Sequence, residues 1–495
     1  MGISFDTIPS NVAASAVFVE QKPEKRTTAG MVIPQKILVL GTVNAGFTPV
    51  FNVPEKITSI ADAYSKYGRG SLLARMIEKA INNAGGVDVY ALPVEEADGA
   101  TAAEAEITVD SAATSAGTLA LYVGGHRVAV AVKKGDTVST IASAISTAIN
   151  ANVDLPVTAT VSSDTVTLTA KCKGTAGNMK VEKDLSSGDV NMEPTGAALS
   201  LANLTGGATD PAIDTALENL GDDFFTVIAC PWNDATTTTA LKEAGDNRAA
   251  PGVKKPFVAV VGFTGTYAEY IAYLADLNCQ WLSVIPVEGA SSPISEIASA
   301  YAGEIGNSAD KDPARPIKTL PLKGIVGGTA VNWIYAQKDA VVKLGGCWTK
   351  RDASGVVIIG DCITTYKRNA LSIEDAKDTY RYVTTILKMQ AKIYSLDILF
   401  SSDPFDRAII ISDGQVSSKR YAISPSTVKA FLVQLVDSLW IANAWSKDRD
   451  AVVSGIQVEI DPANSSRINC YVPDVMSAEL AIVGVQYAWS FTSAE

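Results

Sequence analysis

The sequence predicts a multidomain α/β protein, and three observations carry this prediction. Short apolar runs alternate with amphipathic stretches of helical period, a pattern typical of a parallel sheet covered by helices. A segment rich in Ala, Thr, Ser and Val interrupts this alternation. The 495 residues are 47% hydrophobic and 19% charged, which suits a folded chain with large cores. We therefore expect a helix-covered parallel sheet, an inserted small β-rich (ββαββ) domain, a C-terminal α+β domain and extended terminal arms.

The α/β core is predicted from residues 31–98 together with 208–323. Residues 36–41 form a continuous apolar run, as in a strand that is buried on both faces. Ser71 is placed to cap a helix and Gly85 to end it, and the next strand follows directly. The alternation resumes later with three predicted strands, at 224–229, 256–261 and 281–286, and three helical stretches, at 239–244, 267–277 and 294–305.

Residues 99–207, which we call the inserted segment, lie between two linker-like stretches. Apolar residues alternate on both sides of Gly124–Gly125, which predicts a β-hairpin with a two-residue glycine turn. Asp136 or Thr137 is placed to cap a short helix. A second hairpin is predicted around Ser163–Asp164. This unit is long enough to fold alone, and it is expected to sit in a loop of the α/β core.

The C-terminal α+β domain is predicted over residues 324–478. Its expected elements are a helix that starts at Ser372 and runs towards Tyr394, a second helix over 425–445, and strands at 356–360 and 456–460. Residues 1–30 are predicted to form an N-terminal arm, because they show little helical pattern.

Residues 479–495, which we call the C-terminal arm, contain a period-two pattern with a heavy aromatic face. This pattern predicts a strand. The strand could complete a sheet of its own chain or add to the sheet of a neighbouring subunit, and the pattern leaves both open. The residues that share the patterned face are Val483, Val485, Tyr487, Trp489 and Phe491.

Charge and cysteine usage limit the possible partners and the compartment. The formal net charge is −12, without a basic stretch to neutralise phosphates, so we expect no nucleic-acid partner. The six cysteines are scattered and are expected to be free, buried thiols of a reducing compartment. The sequence also shows no signal-peptide pattern and no apolar run of about 20 residues, so we expect no membrane anchor.

Motifs that carry catalysis are missing from the sequence. There is no Walker loop, GxSxG, HExxH or EF-hand pattern, and Gly41–Gly46 does not match a dinucleotide-binding loop. The single histidine, His126, adjoins a predicted turn and is interpreted as structural; Cys230 is interpreted as a packed residue at a strand end. We predict no catalytic, cofactor-binding or metal-binding residue. An α/β enzyme with an accessory β domain stays as the alternative from another class.

Three stretches carry a resemblance to a known family: the opening at 3–10, the stretch Tyr-Gly-Arg-Gly-Ser-Leu-Leu-Ala-Arg-Met at 67–76, and the inserted segment with its Gly124–Gly125 hairpin. Together they resemble the contractile tail sheath proteins of Mu-type phages. The resemblance implies a structural subunit that forms hexameric rings, stacked helically around a tail tube. It implies contraction that drives the tube through the host envelope, without a cofactor.

The resemblance also implies where the subunits join and which partners they have. The N- and C-terminal arms would add strands to neighbouring sheets, through Val17, Phe18, Val19 and the patterned face of the C-terminal arm. The expected partners are other copies of the chain, the tail tube protein, and the baseplate and tail terminator proteins. The protein would be assembled in the host bacterial cytoplasm and reside in the virion tail. The sheath of a phage-derived bacteriocin or type VI-like device is the close alternative.

Overall fold

The computed structural model describes residues 32–327, 332–369, 371–374, 379–415 and 417–489. Within these residues, buried apolar side chains form three separate clusters. The largest lies mainly in the α/β core, the second lies wholly between Ala103 and Leu204, and the third lies mainly in the C-terminal domain. The predicted mixture of helices and sheets in several units is confirmed, whereas the limits of the domains stay a prediction.

The first part of the α/β core has the predicted strand–helix–strand order. The Ser71 hydroxyl accepts a hydrogen bond from the amide of Ala74 at 3.2 Å, which caps the second helix. Gly85 ends that helix with φ +61°, a left-handed conformation that favours glycine. The elements are β1 (Lys36–Gly41), β2 (Glu55–Ile57), α1 (Ile60–Tyr67), α2 (Leu72–Ala84) and β3 (Asp88–Pro93).

The inserted segment contains both predicted hairpins and the predicted helix. Thr137 caps the helix, while Asp136 instead accepts a hydrogen bond from the amide of Lys133 at 2.7 Å. The elements are β4 (Ala102–Val109), β5 (Gly117–Val123), β6 (His126–Val132), α3 (Val138–Ala151), β7 (Val157–Ser162), β8 (Thr165–Lys173), β9 (Val181–Lys183), α4 (Ser187–Met192) and β10 (Leu199–Leu201).

The strands of the inserted segment form two sheets, so the predicted ββαββ order is incomplete. One sheet has the order β10-β4-β8-β7 and the other β6-β5-β9. The sequence pattern missed β4, β9 and β10. β4 is built largely from Ala and Glu, which favour strands weakly, and β9 and β10 have only three residues each.

The second part of the α/β core completes a six-stranded sheet of order β13-β12-β11-β1-β3-β2. Its strands pair in parallel, as predicted, except that β2 runs antiparallel at one edge. β11 is shorter than the predicted strand at 224–229. The elements are α5 (Asp214–Glu218), β11 (Val227–Ala229), α6 (Ala235–Ala249), β12 (Val258–Phe263), α7 (Tyr267–Ala275), β13 (Leu282–Pro286) and α8 (Ile294–Lys311).

The C-terminal domain contains helices, two-stranded sheets and irregular connections. Its elements are α9 (Tyr335–Lys343), β14 (Trp348–Arg351), β15 (Val357–Asp361), α10 (Val383–Phe400), β16 (Ile409–Ile410), β17 (Ala422–Ile423), α11 (Pro425–Leu435), α12 (Arg449–Gly455), β18 (Gln457–Asp461) and β19 (Asn464–Tyr471). A π-helical turn, Val436–Ile441, follows α11.

Two helix predictions in this domain were wrong at one end. The helix expected from Ser372 begins only at Val383, because the Asn369 side chain accepts hydrogen bonds from the amides of Leu371 and Ile373 and fixes a turn there. The helix expected over 425–445 changes to π-helical geometry after Leu435. No helix within the described ranges is both long enough and apolar enough to cross a membrane.

Candidate assembly surface

Residues 480–489, which make up most of the described part of the C-terminal arm, are exposed and belong to no strand. Ile482 and Tyr487 are each 81% exposed, and Val483 and Val485 are also exposed. The predicted terminal strand is therefore not formed by residues 480–489 within the described chain. A strand needs a partner to satisfy its backbone groups, and the described sheets of this chain do not provide one. Phe491, Val17, Phe18 and Val19 lie outside the described residues.

The base of the C-terminal arm, by contrast, is fixed by side chains of the domain below it. Nζ of Lys392 on α10 lies 2.5 Å from Oδ2 of Asp474, and the hydroxyl of Ser446 donates to Oδ1 of the same carboxylate at 2.5 Å. Nζ of Lys318 donates to the carbonyl oxygen of Leu480 at 2.6 Å. The chain is therefore held up to Leu480, whereas residues 481–489 are exposed.

Buried charges concentrate at this base. Burial lowers the pKa of Lys388 and Lys392, partly offset by nearby acidic groups that include Asp474. Burial also raises the pKa of Glu479, whose carboxylate accepts a hydrogen bond from Thr384. Lys388 donates to the carbonyl oxygen of Ser477. Because buried charges are costly unless they are paired, these contacts restrict the position of residues 474–480.

The hairpin β18–β19 presents open strand edges near the end of the chain. It forms a two-stranded sheet in which neither outer edge pairs with another described strand. Val458 and Ile468 pack against the third apolar cluster, while Tyr471 is exposed. An open edge has unpaired amides and carbonyls and is a template for strand addition.

An apolar groove of about 420 Å³ lies beside β19. Three residues of β19 that share one face of the strand line it, and no residue of β18 does. The lining side chains are Phe400, Phe405, Ala408, Ile410, Ile423, Val428, Ser466, Ile468 and Cys470. This groove could not be predicted from the sequence, because its walls come from segments up to 70 positions apart. The alternation of 457–461 and 464–471 around Pro462–Ala463 was the available signal for the hairpin itself.

The residues singled out for possible chemistry have structural surroundings. His126 contacts the buried carboxylate of Glu296. Cys230 is buried, and so are four more of the six cysteines; Cys470 is exposed on β19, which corrects the expectation that all are buried. The described residues contain no group of three or more His, Cys, Asp or Glu side chains that could hold a metal ion.

A multidomain α/β chain that has both an exposed apolar segment and an open-edged hairpin is typical of proteins that assemble through their surface. No protein-family model matches the chain. Over 474 residues the chain is 28% identical to the Mu-like prophage FluMu tail sheath protein of Haemophilus influenzae, covering 95% of this chain and 96% of that protein.

Solved structures of low sequence identity are also similar to the chain. The sheath complex of the extracellular contractile injection system PVC, in its contracted state, has a TM-score of 0.50 at 11% identity and covers 97% of this chain and 98% of that one. The sheath tail protein of Desulfitobacterium hafniense has a TM-score of 0.48 at 13% identity, with coverage of 93% and 100%.

The chain is thus a homologue of a structural tail protein. More particularly, its relative is a Mu-like tail sheath protein, which confirms the resemblance found in the sequence. The prediction of a structural protein and not an enzyme is confirmed by the same relationship.

Proposed function

We propose that this chain is the sheath subunit of a contractile phage tail. Copies polymerise as stacked hexameric rings around the tail tube, and the sheath then contracts and drives the tube through the host envelope for genome delivery. The similarity to a tail sheath protein along 95% of the chain supports this proposal. The subunit is assembled in the host cytoplasm, resides in the virion tail and needs no cofactor.

The proposed partners follow from this role. They are other copies of the chain, the tail tube protein, and the baseplate and tail terminator proteins. No nucleic acid or membrane anchor is part of the proposal, in keeping with the net charge of −12.

The observation that carries the proposal is the contrast between residues 474–480 and the described residues that follow them. Lys318, Lys388 and Lys392 hold residues 474–480, whereas the apolar residues of 481–489 are exposed. Residues 480–494 contain no charged side chain. Exposing apolar side chains to water is unfavourable. Adding this segment as a strand to another copy would bury those side chains and would satisfy its backbone hydrogen-bonding groups.

The open edge of β19 is the acceptor that the geometry supports best. Ser466, Ile468 and Cys470 alternate along β19 and face the groove. A strand that adds to this edge would direct every second side chain into the same groove. The odd-numbered residues of the C-terminal arm, from Val483 to Phe491, are apolar and would therefore suit this apolar groove. Val17, Phe18 and Val19 of the N-terminal arm are proposed to take part in the same exchange.

Electron microscopy of the purified protein tests the proposed function. At high concentration we expect rings or hollow, striated tubes. Monomers at every concentration and ionic strength would contradict the proposal. Contraction is tested by comparing the tube diameter and axial repeat before and after mild denaturant, and we expect a wider tube with a shorter repeat.

Cys470 provides a direct test of the acceptor. Single cysteines are placed at Val483, Val485 and Tyr487, and polymers are oxidised and examined on a non-reducing gel. We expect at least one of these variants to form covalent multimers through Cys470 of another copy. Matched controls are cysteines at Ile482, Gln486 and Ala488, on the opposite face, which should not link. Polymers in which the two faces link equally would exclude this seating while leaving the sheath proposal intact.

A phage-derived injection device would use the same kind of subunit. Capsid and portal genes close to the gene of this chain would favour a phage. If the surrounding gene cluster is fully sequenced and contains neither, the injection device is favoured.

A further inference from the structure

The glycine–arginine motif of the sequence contacts the inserted segment. Gly68 and Gly70 have φ of +86° and +76°, and Arg69 stands between them. The Arg69 guanidinium donates two hydrogen bonds to the carboxylate of Asp154, at 2.7 and 2.6 Å. Asp154 lies in the loop between α3 and β7. A motif of the α/β core therefore binds the inserted segment through a bidentate ion pair.

The backbones meet closely at the same place. A Cβ atom on Gly70 would lie 2.3 Å from the carbonyl oxygen of Leu155 and 2.9 Å from that of Val153. Nζ of Lys171 on β8 donates to the carbonyl oxygens of Arg69 at 3.3 Å and Val153 at 2.7 Å. Glycine at position 70 thus permits an approach that any side chain would obstruct.

A buried carboxylate joins the two parts a second time. Oε1 of Glu296, at the start of α8, accepts a hydrogen bond from Nη1 of Arg75 at 2.6 Å and lies 2.8 Å from Nε2 of His126. Nζ of Lys79 lies 3.2 Å from Oε2. The side chains of Arg75 and Glu296 are 2% and 1% exposed. Burial alone would raise the pKa of Glu296, but His126, Lys79 and Arg75 hold it well below its usual range.

Neighbouring contacts support this second junction. Nζ of Lys180 donates to the carbonyl oxygen of Gly289 at 2.7 Å, and the Ser291 hydroxyl donates to Oε2 of Glu182 at 2.5 Å. Lys180 and Glu182 belong to the inserted segment, whereas Gly289 and Ser291 precede α8. The inserted segment therefore contacts the α/β core at both places, and Arg75 links them because its Nε donates to the carbonyl oxygen of Gly70 at 3.3 Å.

We propose that these two junctions make the inserted segment and the α/β core one rigid body, with His126 and Arg69 as the positioning residues. His126 bridges the glycine hairpin to Glu296, and Arg69 bridges α1–α2 to the α3–β7 loop. The segment is thus a fixed surface of the core and not a mobile appendage. This inference concerns a single subunit and does not depend on the proposed sheath function.

Hydrogen exchange of the monomeric full chain tests it with a matched pair of variants. His126→Ala removes a contact between the two parts. Arg127→Ala alters the next residue, whose guanidinium instead bonds Asp189 inside the inserted segment at 2.9 and 2.7 Å. We expect His126→Ala to speed exchange of the amides at 289–296 at least about fivefold, and Arg127→Ala to speed exchange only around α4. Equal exchange at 289–296 in the wild type and His126→Ala would overturn the proposal.

A charge exchange at the other junction provides a second test. Arg69 and Asp154 are 51% and 40% exposed, so their substitution should not prevent folding. Arg69→Asp should speed proteolytic cleavage of the linkers at 95–101 and 204–210 at least about threefold, and Arg69→Asp/Asp154→Arg should restore the wild-type rate. If the double variant is cleaved as fast as Arg69→Asp, this ion pair does not hold the parts together and the proposal fails.

Discussion

The side-chain amide of Gln390 donates a hydrogen bond to the carbonyl oxygen of Thr226 at 3.0 Å. A second N–H of the same amide donates to the carbonyl oxygen of Pro256 at 3.1 Å. Gln390 is fully buried on α10, whereas Thr226 and Pro256 precede β11 and β12. One side chain therefore joins the C-terminal domain to two neighbouring strands of the parallel sheet.

Replacing Gln390 with Ala should lower the free energy of unfolding by about 2–4 kcal/mol, because the change leaves a cavity and removes the side-chain donor to Pro256. The measurement is urea denaturation followed by circular dichroism. Gln415→Ala, at an exposed position, should change the same quantity by less than about 0.5 kcal/mol. Equal effects of the two substitutions would contradict the role of Gln390.

Removing the carboxylate of Asp474 should release the base of the C-terminal arm. Asp474→Ala leaves the buried ammonium of Lys392 without its ionic partner, and we expect a loss of about 3 kcal/mol in the free energy of unfolding. The control is Asp450→Ala, whose exposed carboxylate lies 3.3 Å from Arg449 and should matter little. Urea denaturation measures the free energy of unfolding of both variants. An Asp474→Ala variant as stable as the Asp450→Ala control would show that the ion pair does not fix the base of the arm.

The inserted segment should lose stability in acid through Asp189. Hydrogen bonds from Tyr122, Arg127 and Ser186 lower the pKa of this buried carboxyl from 3.8 to about 2. The unfolded chain therefore binds the proton more readily, so this stabilisation is complete above about pH 5 and is lost as the pH falls through about 2.

The corresponding measurement is the urea midpoint at several values between pH 5 and pH 2.5. The wild type should lose more stability over this range than Asp189→Asn, which has no carboxyl to titrate at that position. Asp98→Asn, at an exposed linker position, should retain the wild-type pH dependence. Parallel curves for the wild type and Asp189→Asn would refute this assignment.

Truncation after Ala481 should separate folding from assembly. The shortened chain keeps the contacts of Asp474, Glu479 and Leu480, so its circular dichroism and melting temperature should match those of the full chain. It loses the exposed apolar residues, so rings or tubes should not form under electron microscopy. A truncated chain that unfolds would show that the segment stabilises its own subunit, and one that still polymerises would show that assembly uses other surfaces.

Elements that bury a continuous face could be predicted from the sequence. β1 has five buried residues in succession, and α2 is bounded by a serine cap and a left-handed glycine, so local patterns were sufficient. The start of α10 could not be predicted in the same way. The turn that the Asn369 side chain fixes competes with the helix that the Ser372 pattern favours. Both are local hydrogen-bonding arrangements, and the sequence does not show which of the two is more stable.

Contacts between distant parts of the chain could not be predicted at all. Lys392 and Asp474 are 82 positions apart, and His126 and Glu296 are 170 apart. The alternation of the C-terminal arm predicted a β-prone face, but a pattern within one chain does not specify a partner on another. For the same reason the groove beside β19 became visible only once its walls were folded together.

The exposed part of the C-terminal arm also has a consequence for biosynthesis. An uncharged, β-prone segment lacks the charges that usually oppose aggregation of nascent chains. The ribosome makes residues 480–489 only after the parallel sheet, the inserted segment and the β18–β19 hairpin have been synthesised, and domains generally fold in the order of synthesis. These apolar residues therefore leave the ribosome after the parallel sheet and the inserted segment, so the order of translation favours association of a folded subunit over misfolding.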